Sequence, residues 1–181
     1  MQYDGLRNSI LACRDDRQKR IDMCLRNSLE RFAGRPAREG RAFIVTLSMN
    51  IPGVVKMPPG AAELAKNGAA LVESLPVGLK KDCSMEDALG PFKVYSGFGD
   101  PYGAKNSMMF IEESIAEHRL LDIDIYTSDG IVSRSAVAKP ERRCLVCSEP
   151  AKECMRLKRH SIDEVAEAAL ELLNKRAERI A

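Results

Sequence analysis

The sequence predicts an α+β fold: one domain over 1–181, built on a mixed or antiparallel sheet flanked by N-terminal, middle and C-terminal helices. Three observations carry this prediction. Apolar residues recur at helical spacing near both ends of the chain and again around 61–75. Short runs rich in β formers lie between those stripes. A tight Ser-Asp-Gly turn joins two of the runs as a hairpin, and the order of elements suits a mixed or antiparallel sheet flanked by helices. With 181 residues, 45% apolar and 30% charged, the chain can bury a sizeable core without disulfides or metal.

The first helix is expected over 9–31. Ile10, Cys13, Ile21, Cys24, Leu25 and Phe32 fall on one side of its wheel, and Arg14 and Arg17 share that stripe. An inward arginine either snorkels at the helix edge or faces an anionic site, because a buried charge needs a partner. Residues 34–40 read as a basic, Pro/Gly-punctuated loop, and 43–49 as a strand. Five glycines and prolines make 51–60 a loop. Over 61–75, Ala61, Leu64, Ala65, Gly68, Leu71, Val72 and Leu75 form a helical face whose small members allow close packing on a sheet. Strands are expected at 92–98, before a Gly/Pro loop, and at 108–111.

The stretch 120–126 alternates strictly after its first residue, with Leu121, Ile123 and Ile125 on one face and Asp122, Asp124 and Tyr126 on the other. The Ser-Asp-Gly turn then leads into Ile131. Ser161 and Glu164 form a capping box for a last helix whose apolar face is Ile162, Val165, Ala169, Leu172 and Leu173.

Two groups of residues carry chemistry. Asp122 and Asp124 project from one face of a strand about 7 Å apart, where a pair of carboxylates suits a hard cation such as Mg²⁺ together with substrate phosphates. The alternative is a solvent-facing edge strand. Arg119 either serves the same phosphate or pairs with an aspartate. The second group, Cys144, Cys147, Cys154 and His160, has the spacing C-x2-C-x6-C-x5-H within a Cys/Arg-rich segment, 142–160. Zinc suits this set, core packing of the thiols is equally consistent, and a nucleophilic cysteine activated by His160 is a third reading.

The net charge is only +2, but eight basic residues against three acidic ones crowd 134–160. That asymmetry suggests a polyanionic partner or a solvated surface. Nucleic acid is not favoured: there is no tryptophan, aromatics are 5%, and no rings interleave the basic stretch. No run has the length of a transmembrane helix and the first ten residues lack a signal peptide's apolar core, so a cytoplasmic protein without a membrane partner is expected. Thiols stay reduced there.

Three stretches together resemble the apo-citrate lyase phosphoribosyl-dephospho-CoA transferases, the holo-acyl-carrier-protein synthases of citrate lyase. They are LACRDDRQKR, RLLDIDIYTSDGIVSR and PERRCLVCSEPAKECMRLKRHS. They cover the first helix and most of 110–165; the stretch 50–108 carries no recognisable motif. His118 stands where the family has a glycine, and Ile115 where it has a histidine. The resemblance implies transfer of a phosphoribosyl-dephospho-CoA group from triphosphoribosyl-dephospho-CoA to a serine of the citrate lyase acyl carrier protein, releasing pyrophosphate. It implies Mg²⁺ on Asp122 and Asp124, with either as the base. Arg14 and Arg17 would hold the triphosphate, and Arg119, Arg134, Arg143, Arg156 and His160 would complete the anion pocket. The basic stretch would attract an acidic carrier. Two alternatives stand beside this: a non-catalytic zinc-binding or interaction module, and the equivalent transferase for a related carrier such as that of malonate decarboxylase.

Overall fold

A computed structural model describes the backbone of residues 2–180 and the side chains of residues 8–176. Five strands form one antiparallel sheet: β1 (Arg41–Met49), β2 (Lys80–Asp87), β3 (Gly90–Gly99), β4 (Leu121–Thr127) and β5 (Gly130–Ile131), in the order β2-β3-β1-β4-β5. The helices are α1 (Gln2–Arg31), α2 (Ala61–Ser74), α3 (Pro101–Ser114), α4 (Ala151–Leu157) and α5 (Ile162–Ile180). No helix of the described residues is long and apolar enough to cross a membrane.

The sheet separates two apolar layers. β1 lies at its centre and is buried on both faces, which is why its sequence is a nearly continuous apolar run. Phe43, Val45, Leu47 and Met49 join Leu121, Ile123 and Ile125 of β4 in the main core, under α2, α3 and α5. On the opposite face Ile44, Phe92 and Val94 meet Ile21 and Cys24 of α1. The alternation of β4 has its expected meaning, since burying each of its isoleucines is worth about 1.5–3 kcal/mol and fixes the register. Asp122 and Asp124 must therefore face the α1 side, beyond the end of the smaller core. The capping box also forms: Glu164 N–H donates to Ser161 Oγ (3.1 Å) and Ser161 N–H donates to Glu164 Oε2 (2.7 Å).

Two expectations fail. Residues 108–111 are not a strand but the interior of α3. Four apolar residues in a row fit either period; here Ala104, Met108 and Ile111 lie on the buried helix face. The supposed Gly/Pro loop is that helix's start: Asp100 caps it, accepting from Tyr102 N–H at 2.9 Å, and Pro101 occupies the first turn. β2 was not anticipated either. It is a half-exposed edge strand whose charged residues hide its period.

Close packing of α2 depends on Gly68, where an added Cβ would lie 2.8 Å from both Leu121 methyls. We expect Gly68→Val to lower stability by about 1–3 kcal/mol, read as a lower urea midpoint. An unchanged midpoint would show that α2 does not rest on β4.

Candidate active site

One cleft of about 330 Å³ gathers Arg14, Arg17, Asp122 and Asp124. Its floor is the sheet. Pairing of β1 with β4 sets Thr46 opposite Asp124 and Ser48 opposite Asp122, so hydroxyls and carboxylates share one surface. α1 supplies one wall with Arg14, Arg17 and Gln18; Asn50 and Lys56, from the loop after β1, supply another. The apolar core of the α1 side stops at Ile21 and Phe92, which close the end of the cleft.

The cations differ in commitment. Arg17 donates Nε–H and Nη2–H to Asp87 at 2.8 and 2.7 Å and Nη2–H to Gly90 O at 2.7 Å, and its guanidinium stacks on Phe92 at 4.8 Å. It ties α1 to the β2–β3 turn, so most of its donors are used. Arg14 has no carboxylate partner among the described residues and is exposed to the cleft. Lys56 donates to Ile51 O (2.8 Å); burial, then the nearby Arg14, lowers its pKa.

A second cleft, of about 410 Å³, reaches the same aspartates past the end of β5. Asn50, Asp122 and Asp124 line both clefts; Lys105, Glu112, Ser133, Arg134 and Arg142 line only the second of the two. Burial and the neighbouring Asp124 push the Asp122 carboxyl up to about 6, against the opposing effect of Arg142. Arg142 Nη1 lies 3.6 Å from Asp122, and Lys105 Nζ lies 3.0 Å from Ile123 O and 3.4 Å from Asp124. Burial and the two aspartates push the Tyr126 phenol up to about 12, so it stays a neutral donor on the cleft floor.

The remaining expected site residues fall elsewhere. Arg134 borders the second cleft, but its fork is filled by Glu112 (2.7 Å) and Glu113 (2.5 Å). Arg119 donates to the carbonyls of Arg143 and Cys144, at 3.0 and 2.7 Å, bracing the cysteine segment rather than facing the aspartates. Arg143 borders neither aspartate cleft, and Arg156 is an exposed partner of Glu153 at 2.8 Å. His160 turns to Cys147, Nε2 to Sγ 3.2 Å. Cys144, Cys147, Cys154 and His160 form one cluster, a ligand set compatible with zinc. All six cysteines are free thiols. His118 is buried, and its Nδ1 contacts the Ile111 carbonyl at 3.0 Å and Ser114 Oγ at 2.8 Å, so it closes the end of α3 instead of lining a phosphate loop.

Sequence reasoning missed Lys105 and Glu112. They stand seven apart on the buried face of α3, a spacing of two helical turns that reads as a pattern only once 101–114 is known to be a helix. It also missed Asn50 and Lys56, which sit in a loop without periodicity.

The profile of the apo-citrate lyase phosphoribosyl-dephospho-CoA transferase family matches residues 6–176. The Escherichia coli (strain SMS-3-5 / SECEC) protein of that name is 26% identical over 170 residues, which is 91% of this chain and 86% of the relative. A probable apo-citrate lyase phosphoribosyl-dephospho-CoA transferase of Vibrio cholerae serotype O1 (strain M66-2) is 31% identical over 127 residues, 66% of this chain and 71% of the relative. One of Streptococcus pyogenes serotype M18 is 29% identical over 140 residues, 72% and 71%. The match runs from the helix that carries Arg14 to the helix that follows the cysteine cluster, and the chain belongs to the apo-citrate lyase phosphoribosyl-dephospho-CoA transferase family.

Proposed function

We propose that this protein transfers a phosphoribosyl-dephospho-CoA group from triphosphoribosyl-dephospho-CoA to a serine of the citrate lyase acyl carrier protein in the cytoplasm, releasing pyrophosphate. One observation carries the reading beyond family membership: the aspartate pair borders two clefts. A group transfer needs a donor and an acceptor to meet at one reacting centre from different sides. The first cleft, with Arg14 and Lys56, takes the anionic triphosphate. The second takes the acceptor serine.

Asp122 and Asp124 fit Mg²⁺ by the chemistry of the donor set: two carboxylates beside the oxygens of Asn50, Ser48 and Thr46, with no cysteine or histidine lining the cleft. A bound Mg²⁺ would neutralise charge on the phosphate under attack. Around it the chain does the rest. Arg14 and Lys56 bind the leaving pyrophosphate and stabilise its growing charge. Lys105 and Arg142 hold the carboxylates in place. Asp122, with its raised pKa, is the better placed of the two aspartates to accept the serine proton.

The test is incubation of the purified protein with apo-carrier, donor and Mg²⁺, followed by intact-mass measurement of the carrier. A gain of one phosphoribosyl-dephospho-CoA group is expected, and its absence would sink the substrate assignment. Arg14→Ala should raise KM for the donor by roughly tenfold or more, as loss of one charge-assisted phosphate contact worth about 1.5–3 kcal/mol requires. It should leave the thermal midpoint unmoved, since Arg14 holds no other element. Unchanged donor kinetics would place the triphosphate elsewhere.

A further inference from the structure

The segment 142–160 has little apolar reason to hold its shape. Its buried residues are Cys144 and Cys154, and the rest are exposed or half-exposed. α4 has seven residues, well below the length at which a helix is stable alone. Yet the backbone is closely ordered. Cys144 N–H donates to Glu149 O (2.7 Å) and Ala151 N–H to Arg142 O (2.8 Å), closing a small hairpin around an Arg143–Pro150 bridge. Lys158 ends α4 in the left-handed region at φ 48° and turns the chain so that His160 comes back to Cys147.

All of this converges on four side-chain atoms. Cys147 Sγ lies 3.5 Å from Cys154 Sγ and 3.2 Å from His160 Nε2, and the ligand atoms of Cys144, Cys147, Cys154 and His160 lie within 4.8 Å of one another. A tetrahedral zinc with Zn–S of about 2.3 Å and Zn–N of about 2.0 Å spaces its ligands about 3.5–3.8 Å apart, within the span found. The backbone N–H groups of Val146 and Cys147 bond the Cys144 sulfur, as they would in a C-x2-C knuckle that presents a thiolate to a metal.

We propose that Cys144, Cys147, Cys154 and His160 bind one structural Zn²⁺. Four protein ligands close the coordination sphere, so the ion offers no open position for a substrate or a reactive water. Its work is to replace the missing apolar core of 142–160. That segment carries Arg142, whose Nη2 donates to Glu112 (2.5 Å) and Leu121 O (3.0 Å) on the wall of the second cleft. The zinc thereby fixes one side of the site without touching the aspartates.

Metal content answers this independently of any transferase assay. The full chain, purified without chelators, should contain close to one zinc per molecule by inductively coupled plasma mass spectrometry. After removal of the metal under reducing conditions, added cobalt should produce the visible bands of a tetrahedral thiolate site. Cys147→Ser and Cys154→Ser should lose the zinc, and Cys13→Ser should keep it. Hydrogen exchange should show the Cys144 and Ala151 amides losing protection on zinc removal while Ile123 and Ile125 keep theirs. Wild-type protein that takes up neither zinc nor cobalt overturns the site, even if the serine variants fail to fold. Zinc retained by both variants overturns the ligand assignment, and unchanged exchange in 142–160 overturns the structural role.

Discussion

Asp122→Asn and Asp124→Asn should each cut the rate of group transfer by at least about a hundredfold with the fold intact, because an amide cannot supply the charge that holds a hard cation against phosphate, a contribution of several kcal/mol. The two variants should part company in stability. Asp124 faces Lys105, whose side chain is only 5% exposed, so replacing that carboxylate with a neutral amide leaves a buried ammonium without its counter-charge and lowers the thermal midpoint. Asp122 is the opposite case. Burial and Asp124 raise its pKa to about 6, so the folded chain holds this proton to higher pH than the unfolded chain does. Folding stability therefore falls as pH rises from about 4 to about 6 through this group, and the cost is fully present above 6. Its side chain is 42% exposed, so solvent screens part of that cost. Asp122→Asn should accordingly raise the thermal midpoint at pH 7.5 and lose that advantage near pH 4.

The same carboxyl sets the lower limb of the pH profile. Cation binding and proton acceptance both need Asp122 ionised, so activity should fall as pH drops through about 6. Arg142→Gln, which removes the opposing guanidinium, should move that limb upward. A wild-type profile that stays flat down to pH 5 at limiting Mg²⁺, where protons and the cation compete for the carboxylate, would remove Asp122 from both roles.

Much of this arrangement was legible in the sequence, and the rest was hidden for identifiable reasons. The period of β4 alone placed Asp122 and Asp124 on one face, because a register slip would have exposed Leu121, Ile123 and Ile125. The wheel of α1 placed Arg14 and Arg17 toward the same side. What periodicity could not say is which cations are already spoken for. Arg17 finds Asp87 seventy residues away, and Arg119 finds the backbone of 143–144; such pairings depend on tertiary packing. α3 was obscured by an Asp-Pro start that looks like a turn, and with it went the helical spacing of Lys105 and Glu112. Glutamate and lysine are also residue types expected outside, so nothing local marked them as buried.

Glu112→Ala should be among the most destabilising single changes outside the apolar core. The carboxylate is 3% exposed and receives three donors: Ile123 N–H at 3.0 Å, Arg142 Nη2 at 2.5 Å and Arg134 Nη2 at 2.7 Å. It joins α3, β4, the segment after β5 and the start of the cysteine segment. Truncation leaves two half-buried guanidiniums and a strand amide without their acceptor, which costs about 3–5 kcal/mol, a large share of the roughly 5–15 kcal/mol that holds a domain together. Glu112→Gln keeps the volume and one acceptor oxygen but turns an amide NH₂ toward an arginine, so its loss should be smaller yet still measurable. Urea unfolding at fixed pH separates the cases. If both variants fall within about 0.5 kcal/mol of wild type, the scale of an ordinary surface change, then Glu112 does not anchor Arg142 and Arg134. If Glu112→Ala is as costly as expected and Glu112→Gln folds but loses transfer activity, the carboxylate acts on the reaction as a positioning residue, by holding Arg142 beside Asp122.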